Sequence, residues 1–286
     1  ILEVRRGASH LLHVCSGPPR PGSYREHAEK AGYHTVDVDY CINKQLDVTR
    51  DDCWHELQRA TKSDAVSGMQ ADPQCSSFSP LLSLPGGPRP LRGKHGVDRY
   101  GFKDLLPHMK AKVQRDTLLA LRVCELATLC HSLRKPFVIE NPAPREDAPS
   151  IFELDEYLVL RSLPGVHMIT FSQCHFSSYS RKPTTLLYFG VVPDPQVFKF
   201  ECDHPVKTWK YEDGEIFKAR HPPLVGKRIA VPVEDWVPNT PTSSDYVSHA
   251  AAHYTSALNE ALVHIMVSGC RAISSSLAKR TRSATP

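Results

Sequence analysis

The sequence predicts an α/β fold, wound on both sides of a parallel sheet, and three observations carry that prediction. Short apolar runs recur along the first half of the chain, helix-compatible segments separate them, and a glycine-containing turn joins the first run to the first helix. Ligands of such sheets bind outside the carboxyl ends of the strands.

The elements follow in order. Residues 11–15, LLHVC, form an apolar run that stops at Ser16-Gly17, as a buried strand meeting a tight turn would. SYREHAEKAG has helical composition and Gly32 as its stop signal, and HTVDVDY then alternates Val36 and Val38 with Asp37 and Asp39. Together these make a βαβ unit. DDCWHELQRATKS reads as a polar helix and SDAVSGM as a strand leading into ADPQCSSFSP. Residues 112–133 repeat apolar character at helical spacing, with Val113, Leu121, Cys124, Leu126 and Leu133 on one broad face. PFVIE follows as a buried strand.

Beyond Pro142 the texture becomes proline-rich and irregular. VVPDPQVFKFE and RIAVPVEDW read as short strands among loops. DYVSHAAAHYTSALNEALVHIMV reads as a helix, and the basic, serine-rich end of the chain as disordered. The expected organisation is a core over 1–189, a small subdomain over 190–239, a returning helical segment over 240–270 and a tail over 271–286.

The chain has 286 residues, 41% of them hydrophobic, enough to fill a core, and its formal charge of +4 permits a nucleic-acid partner without requiring one. Its nine cysteines include no CxxC pair, which argues against a disulfide framework and for a reducing, intracellular setting with which the nucleus is compatible. Cys174-His175, Cys202-x-His204 and Cys130-His131 lack zinc-motif spacing, so no metal site is expected. No run is long and apolar enough to predict a membrane helix. A start at Ile1 reads as a segment of a longer polypeptide.

Three strand ends carry candidate chemistry. Ser16-Gly17 permits close backbone approach to a ligand, Asp37 or Asp39 is placed to accept from ribose hydroxyls, and Asp47 from an adenine amino group. Turn capping or solvent exposure accounts for such acids equally well. Cys75 stands between a proline-led turn and Ser76, Ser77 and Ser79, where backbone N–H groups favour a thiolate. A small buried filler is the competing reading. Glu140 leaves the apolar run of PFVIE at a sheet edge, where partial burial raises a carboxyl pKa toward a general-acid role; capping of the next segment or pairing with an arginine is the competing reading.

The motifs then become specific. PQCSSFS resembles the Pro-Pro-Cys-Gln-x-Phe-Ser motif of cytosine-5 methyltransferases through Pro73, Cys75, Phe78 and Ser79, with Gln74 replacing the second proline. Glu140-Asn141-Pro142 resembles their Glu-Asn-Val motif. SQCHFSSYSRKPTTLLYF resembles their later Gln-x-Arg-x-Arg region, and AAHYTSALNEALV is similar to their closing segment. The resemblance spans residues 11–267. It departs at the start, where His13 takes the usual acidic position and Pro18-Pro19 replace glycines, with Gly22 nearby. Compact, divergent domains of this kind also resemble modules of mobile-element polyproteins.

The resemblance implies a Rossmann-like S-adenosylmethionine-dependent methyltransferase fold with a small target-recognition subdomain, acting on cytosine in DNA. Cys75 would attack the base, Glu140 would hold its ring nitrogen and amine, and Arg181 would add positive charge. Gln173 and Lys182 would lie beside the base or its phosphates. Ser16, Gly17, Asp37, Asp39, Asp47 and Pro73 would surround S-adenosylmethionine. Between residues 89 and 115 eight Lys or Arg (89, 92, 94, 99, 103, 110, 112, 115) face two Asp (98, 104), after Gly86-Gly87. Phosphate contacts are expected there, from Arg89, Arg92 and Lys94, with Ser79 and Lys182; a solvated charged surface is the competing reading. RNA as substrate, or an inactive nucleic-acid-binding copy of the fold, are the alternatives. A cysteine hydrolase lacks a local signature.

Overall fold

A computed structural model describes residues 2, 7–83, 88–211, 214–223, 230–232 and 254–283. Its centre is a six-stranded sheet of β1 (His10–Val14), β2 (His34–Val38), β3 (Val66–Ala71), β4 (Phe137–Pro142), β5 (Val166–Ser172) and β6 (Pro183–Phe189). The order is β2-β1-β3-β4-β6-β5. The first four strands are parallel, and β6 runs antiparallel to both β4 and β5. The sheet is therefore mostly parallel and compatible with a Rossmann-like fold.

Five α-helices are described: α1 (Tyr24–Lys30), α2 (Asp51–Lys62), α3 (Pro107–Ser132), α4 (Asp155–Ser162) and α5 (Ser256–Ser283). Strand pleating sends alternate residues to opposite faces. Leu12, Val14, Val36, Val38, Phe137 and Ile139 pack on one side with Trp54, Leu57, Val123, Leu126 and Tyr157 from α2, α3 and α4. Leu11, Val138, Leu186 and Phe171 pack on the other with Tyr24, Leu262 and Met266 from α1 and α5. Because β1 is flanked by β2 and β3, the chain reverses its direction of sheet growth there. That reversal opens a crevice above the ends of β1 and β3.

Local signals explain several boundaries. Ser23 caps α1 by accepting from the Glu26 amide at 3.4 Å, and Gly32 turns away just beyond its end at φ +87°. Pro107 opens α3 earlier than residue 112, where its missing N–H costs nothing. Leu133 is the C-terminal cap of α3 and is exposed, so it does not share the buried face expected for it.

The second half departs further from expectation. Residues 191–201 form turns rather than a strand, although Phe198 is buried in the core beside α5. A separate three-stranded sheet, ordered β8-β7-β9, comprises β7 (Lys207–Tyr211), β8 (Ile216–Ala219) and β9 (Ala230–Pro232). The rest of the expected strand over 228–236, the Gly86-Gly87 pair and the first part of the expected helix before 254 lie outside the described residues. Helix α5 continues to Ser283, past the point where composition predicts disorder. A helix already nucleated and packed adds residues such as Leu277, Ala278 and Lys279 at little cost. Among the described residues no helix is long and apolar enough to cross a membrane.

Candidate active site

The crevice is a cavity of about 510 Å³, lined by the ends of β1, β3 and β4 and by residues that follow β2 and precede β6 and α5. This volume suits a nucleotide-sized ligand. Cys75, Glu140 and Lys182 share it with Ser16, Gly17 and Asp39.

The turn after β1 is conformationally demanding. Cys15 has φ 59° and Gly17 has φ 67°, and a side chain on Gly17 would project into open space. The left-handed Cys15 costs about 1–2 kcal/mol, which places a strained residue where a ligand would approach. The Gly17 amide donates to Asp39 Oδ2 at 3.0 Å, and Asp39 Oδ1 accepts from the Cys41 amide at 2.8 Å. Asp39 thus ties the two strand ends together. Gly22 closes the proline-rich loop at φ 67°, and any Cβ there would meet Ser256 Cβ of α5 at 2.6 Å. The Asn259 amide donates to the Gly22 carbonyl at 2.8 Å, so α5 holds the loop in place.

His13 does not leave the wall of the cavity without acid. Its Nε2 lies 2.8 Å from Asp72 Oδ2 and its Nδ1 lies 3.6 Å from Asp37 Oδ1. Burial alone would lower its pKa, but the two carboxylates overcome that and raise it to about 9. An imidazolium between two carboxylates leaves one negative charge, which the Arg25 guanidinium beside Asp37 balances. Asp37 also pairs with Arg25 at 2.6 Å, and despite its burial the His13 and Arg25 cations hold its carboxyl below the usual range. Tyr24 also lines the cavity, and its buried hydroxyl has no hydrogen-bond partner among the described residues.

Cys75 begins a short 3-10 turn over Ser76–Phe78, which is braced from below. The Ser77 amide donates to Asp116 Oδ2 at 2.9 Å, and Arg92 Nε donates to Ser77 Oγ at 3.0 Å. Arg92 also stacks over the Phe78 ring at 3.6 Å. On the other side Asn141 Nδ2 donates to the Pro73 carbonyl at 2.7 Å, locking β4 to the segment that carries Cys75. Burial raises the Cys75 thiol pKa; the Lys182 ammonium opposes this and Glu140 reinforces it.

Glu140 is buried at the end of β4, and burial raises its carboxyl pKa against the pull of Lys182. Its Oε2 accepts from the Tyr254 hydroxyl, and its Oε1 accepts from Gln173 Nε2 at 3.3 Å. Gln173 is fixed in turn by donating to Thr184 Oγ1 at 3.0 Å. Lys182 holds the left-handed φ of 32° and its ammonium lies 5.4 Å from the Tyr254 ring centroid. Such a backbone costs about 1–3 kcal/mol in a non-glycine residue, and here it directs the lysine into the cavity.

Several expected site residues lie elsewhere. Arg181 does not line the cavity; its guanidinium donates to Ser172 Oγ at 3.2 Å and stacks over Phe200. Lys182, one residue on, takes the position beside Cys75 and Glu140. Asp47 pairs with Arg115 at 3.0 Å in a smaller crevice that shares Asp39 and Gln74 with the main cavity. Arg92 is 1% exposed and donates to the carbonyls of Arg99 and Val113 at 3.0 and 2.8 Å. Its burial lowers its pKa to about 10, and no phosphate can reach it. Arg89 pairs with Asp104 at 2.5 Å, and Lys94 with Glu153 at 3.5 Å. Ser79 receives the Leu81 amide at 3.4 Å and lies outside the cavity.

Tyr254 and Asp72 are the residues that sequence reasoning missed. Asp72 directly precedes Pro73, so its place at a strand end was visible. Tyr254 comes from more than a hundred residues beyond Glu140, and only the returning chain before α5 brings it there. The chain matches no family model and no curated protein.

Proposed function

We propose that the protein transfers a methyl group from S-adenosylmethionine to carbon-5 of cytosine in DNA through a covalent adduct on Cys75. One observation carries this reading: Cys75, Glu140 and Lys182 converge on the cavity that Ser16, Gly17 and Asp39 also line. A nucleophile, a buried acid and a strand-end ligand site are thereby in mutual reach.

The polar groups present fit the donor. Asp39 and the Gly17 turn would hold its ribose end, and the carboxylates of Asp37 and Asp72 in the cavity lining would accept hydrogen bonds from its ammonium group. S-adenosylmethionine would supply an electrophilic methyl group when bound and leave as the neutral thioether S-adenosylhomocysteine.

The chain's own residues supply the rest. A raised Glu140 pKa favours its giving a proton to the ring nitrogen of cytosine, which makes carbon-6 electrophilic. The Cys75 sulfur then bonds to carbon-6 and the displaced electron pair moves to carbon-5, which takes the methyl group. Loss of the carbon-5 proton to water returns the electron pair and breaks the carbon–sulfur bond, and the ring nitrogen gives its proton back to Glu140. Lys182 lowers the thiol pKa against burial and so favours the attacking thiolate. The base must be flipped out or single-stranded to enter.

The test is incubation with labelled S-adenosylmethionine and DNA or RNA oligonucleotides containing 5-fluorocytosine, since fluorine does not leave as a proton does. A denaturant-stable adduct with DNA is expected, and its loss in Cys75→Ser. An adduct that survives in Cys75→Ser refutes the nucleophile, an adduct with RNA alone refutes the substrate, and no adduct with either refutes the activity.

A further inference from the structure

Away from the cavity, Cys174, Cys202, His204 and His221 present one ligand atom each, all within 4.8 Å of one another. Among the described residues this is the one grouping of three or more cysteine, histidine or acidic side chains with metal-holding geometry. We propose that these four side chains bind a structural zinc ion. The inference is independent of the chemistry proposed at Cys75.

The donor set and its spacing carry the proposal. Two thiolates and two imidazoles make the Cys₂His₂ set that zinc prefers, with no position left open for catalysis. Cys202 Sγ lies 3.3 Å from His204 Nδ1 and 3.1 Å from His221 Nε2, and Cys174 Sγ lies within 4.8 Å of all three. Zinc–ligand bonds of about 2.0–2.3 Å place tetrahedral neighbours about 3.3–3.8 Å apart, so closure around an ion needs shifts of well under a bond length at these contacts.

The surroundings are also organised. His221 hydrogen-bonds the Tyr179 backbone, which fixes the orientation of its ring. Arg220 donates to the carbonyls of Cys202 and His204 at 2.7 and 3.1 Å, holding the Cys-x-His segment in its bend. His175, the neighbour of Cys174, points elsewhere and meets the Glu201 carbonyl at 2.8 Å. The four ligands come from three separate segments: the turn after β5, the approach to β7 and the chain after β8. A zinc ion would therefore clamp the three-stranded sheet to the core. Cys174 adjoins Gln173, whose amide touches Glu140, so the clamp would also steady one wall of the cavity.

The proposal is tested by metal analysis of the whole chain, purified under reducing conditions from zinc-supplemented medium. About one zinc per chain is expected in the wild type and in Cys41→Ser, with near none in Cys202→Ser and His221→Ala. Because those variants can fail to fold, a second measurement uses the wild type alone: zinc removal followed by cobalt(II) titration. Tetrahedral cobalt visible bands with thiolate charge-transfer absorption, both abolished by added zinc, are expected. Wild-type protein without zinc and without these bands overturns the site, as does a Cys174–Cys202 disulfide in the reduced preparation. The fluorocytosine adduct reads out Cys75 separately, so the two proposals fail independently.

Discussion

The wall of the cavity and the basic segment that follows Cys75 are both rich in charge, and they use it in opposite ways. In the wall, His13 and Glu140 are buried and Asp37 and Asp72 half-buried, yet all four still line open space. In the segment over 88–115, Arg89, Lys94, Arg99, Lys112 and Arg115 pair with Asp104, Glu153, Asp155, Asp116 and Asp47. Arg92 is a buried strut. Lys103 and Lys110 are exposed and have no ion-pair partner among the described residues. A charge is available to a ligand only when its own structure has not already used it, and a count of basic residues does not distinguish the two cases.

Substitutions can break that contrast. The largest effect is expected from Arg92→Ala, which strips three donors from Ser77, Arg99 and Val113 and leaves Asp116 without its buried cation. A loss of about 3–5 kcal/mol is expected in urea unfolding, whereas Arg89→Ala leaves the midpoint unchanged. Equal midpoints for the two variants would erase the distinction between strut and surface pair.

The wall gives the next effect, and its sign follows from the raised pKa of His13. That group binds its proton more tightly folded than unfolded, so its contribution is complete below about 6.5 and is lost as the pH rises through about 9. Across that window the wild type should lose up to about 3 kcal/mol, and His13→Asn should flatten the dependence. A wild-type profile already flat between those values would remove the imidazolium from the wall.

Asn141→Ala should cost about 1–3 kcal/mol, because it leaves the buried Pro73 carbonyl without its donor. It should also lower the rate of adduct formation on fluorocytosine DNA; an unchanged rate would mean that β4 does not position Cys75. The smallest effect is expected at the two unpaired lysines. Lys103→Ala with Lys110→Ala should weaken DNA binding modestly and reduce the salt slope by about one for each phosphate no longer neutralised. The same slope in the variant would place the phosphate-binding groups outside this segment.

Much of the sheet was legible because its signals are local. LLHVC, HTVDVDY and PFVIE each combine apolar residues with a clear stop, and the structure places strands on them at His10–Val14, His34–Val38 and Phe137–Pro142. The strands β5 to β8 and helix α4 were not legible. MITFS is only partly buried and PTTLLYF mostly buried, both through pairing with each other, and Lys207–Tyr211 and Ile216–Ala219 pair with each other more than they advertise themselves. In the site, Cys75, Glu140, Ser16, Gly17 and Asp39 sit at strand ends, where pattern and turn chemistry pointed. Arg181 and Lys182 were indistinguishable in sequence. A left-handed backbone at Lys182 and the ring of Phe200 beside Arg181 separated them.

By itself the sequence determined the alternating core, the turn after the first strand and the residues that stand at the strand ends, because burial periodicity and turn chemistry act over a few residues. Tertiary structure alone decided which charges remain available. It buried Arg92, set His13 between two carboxylates, returned Tyr254 to Glu140 and gathered Cys174, Cys202, His204 and His221 from three segments. Those outcomes depend on contacts between residues far apart in the chain, and no local spacing encodes them.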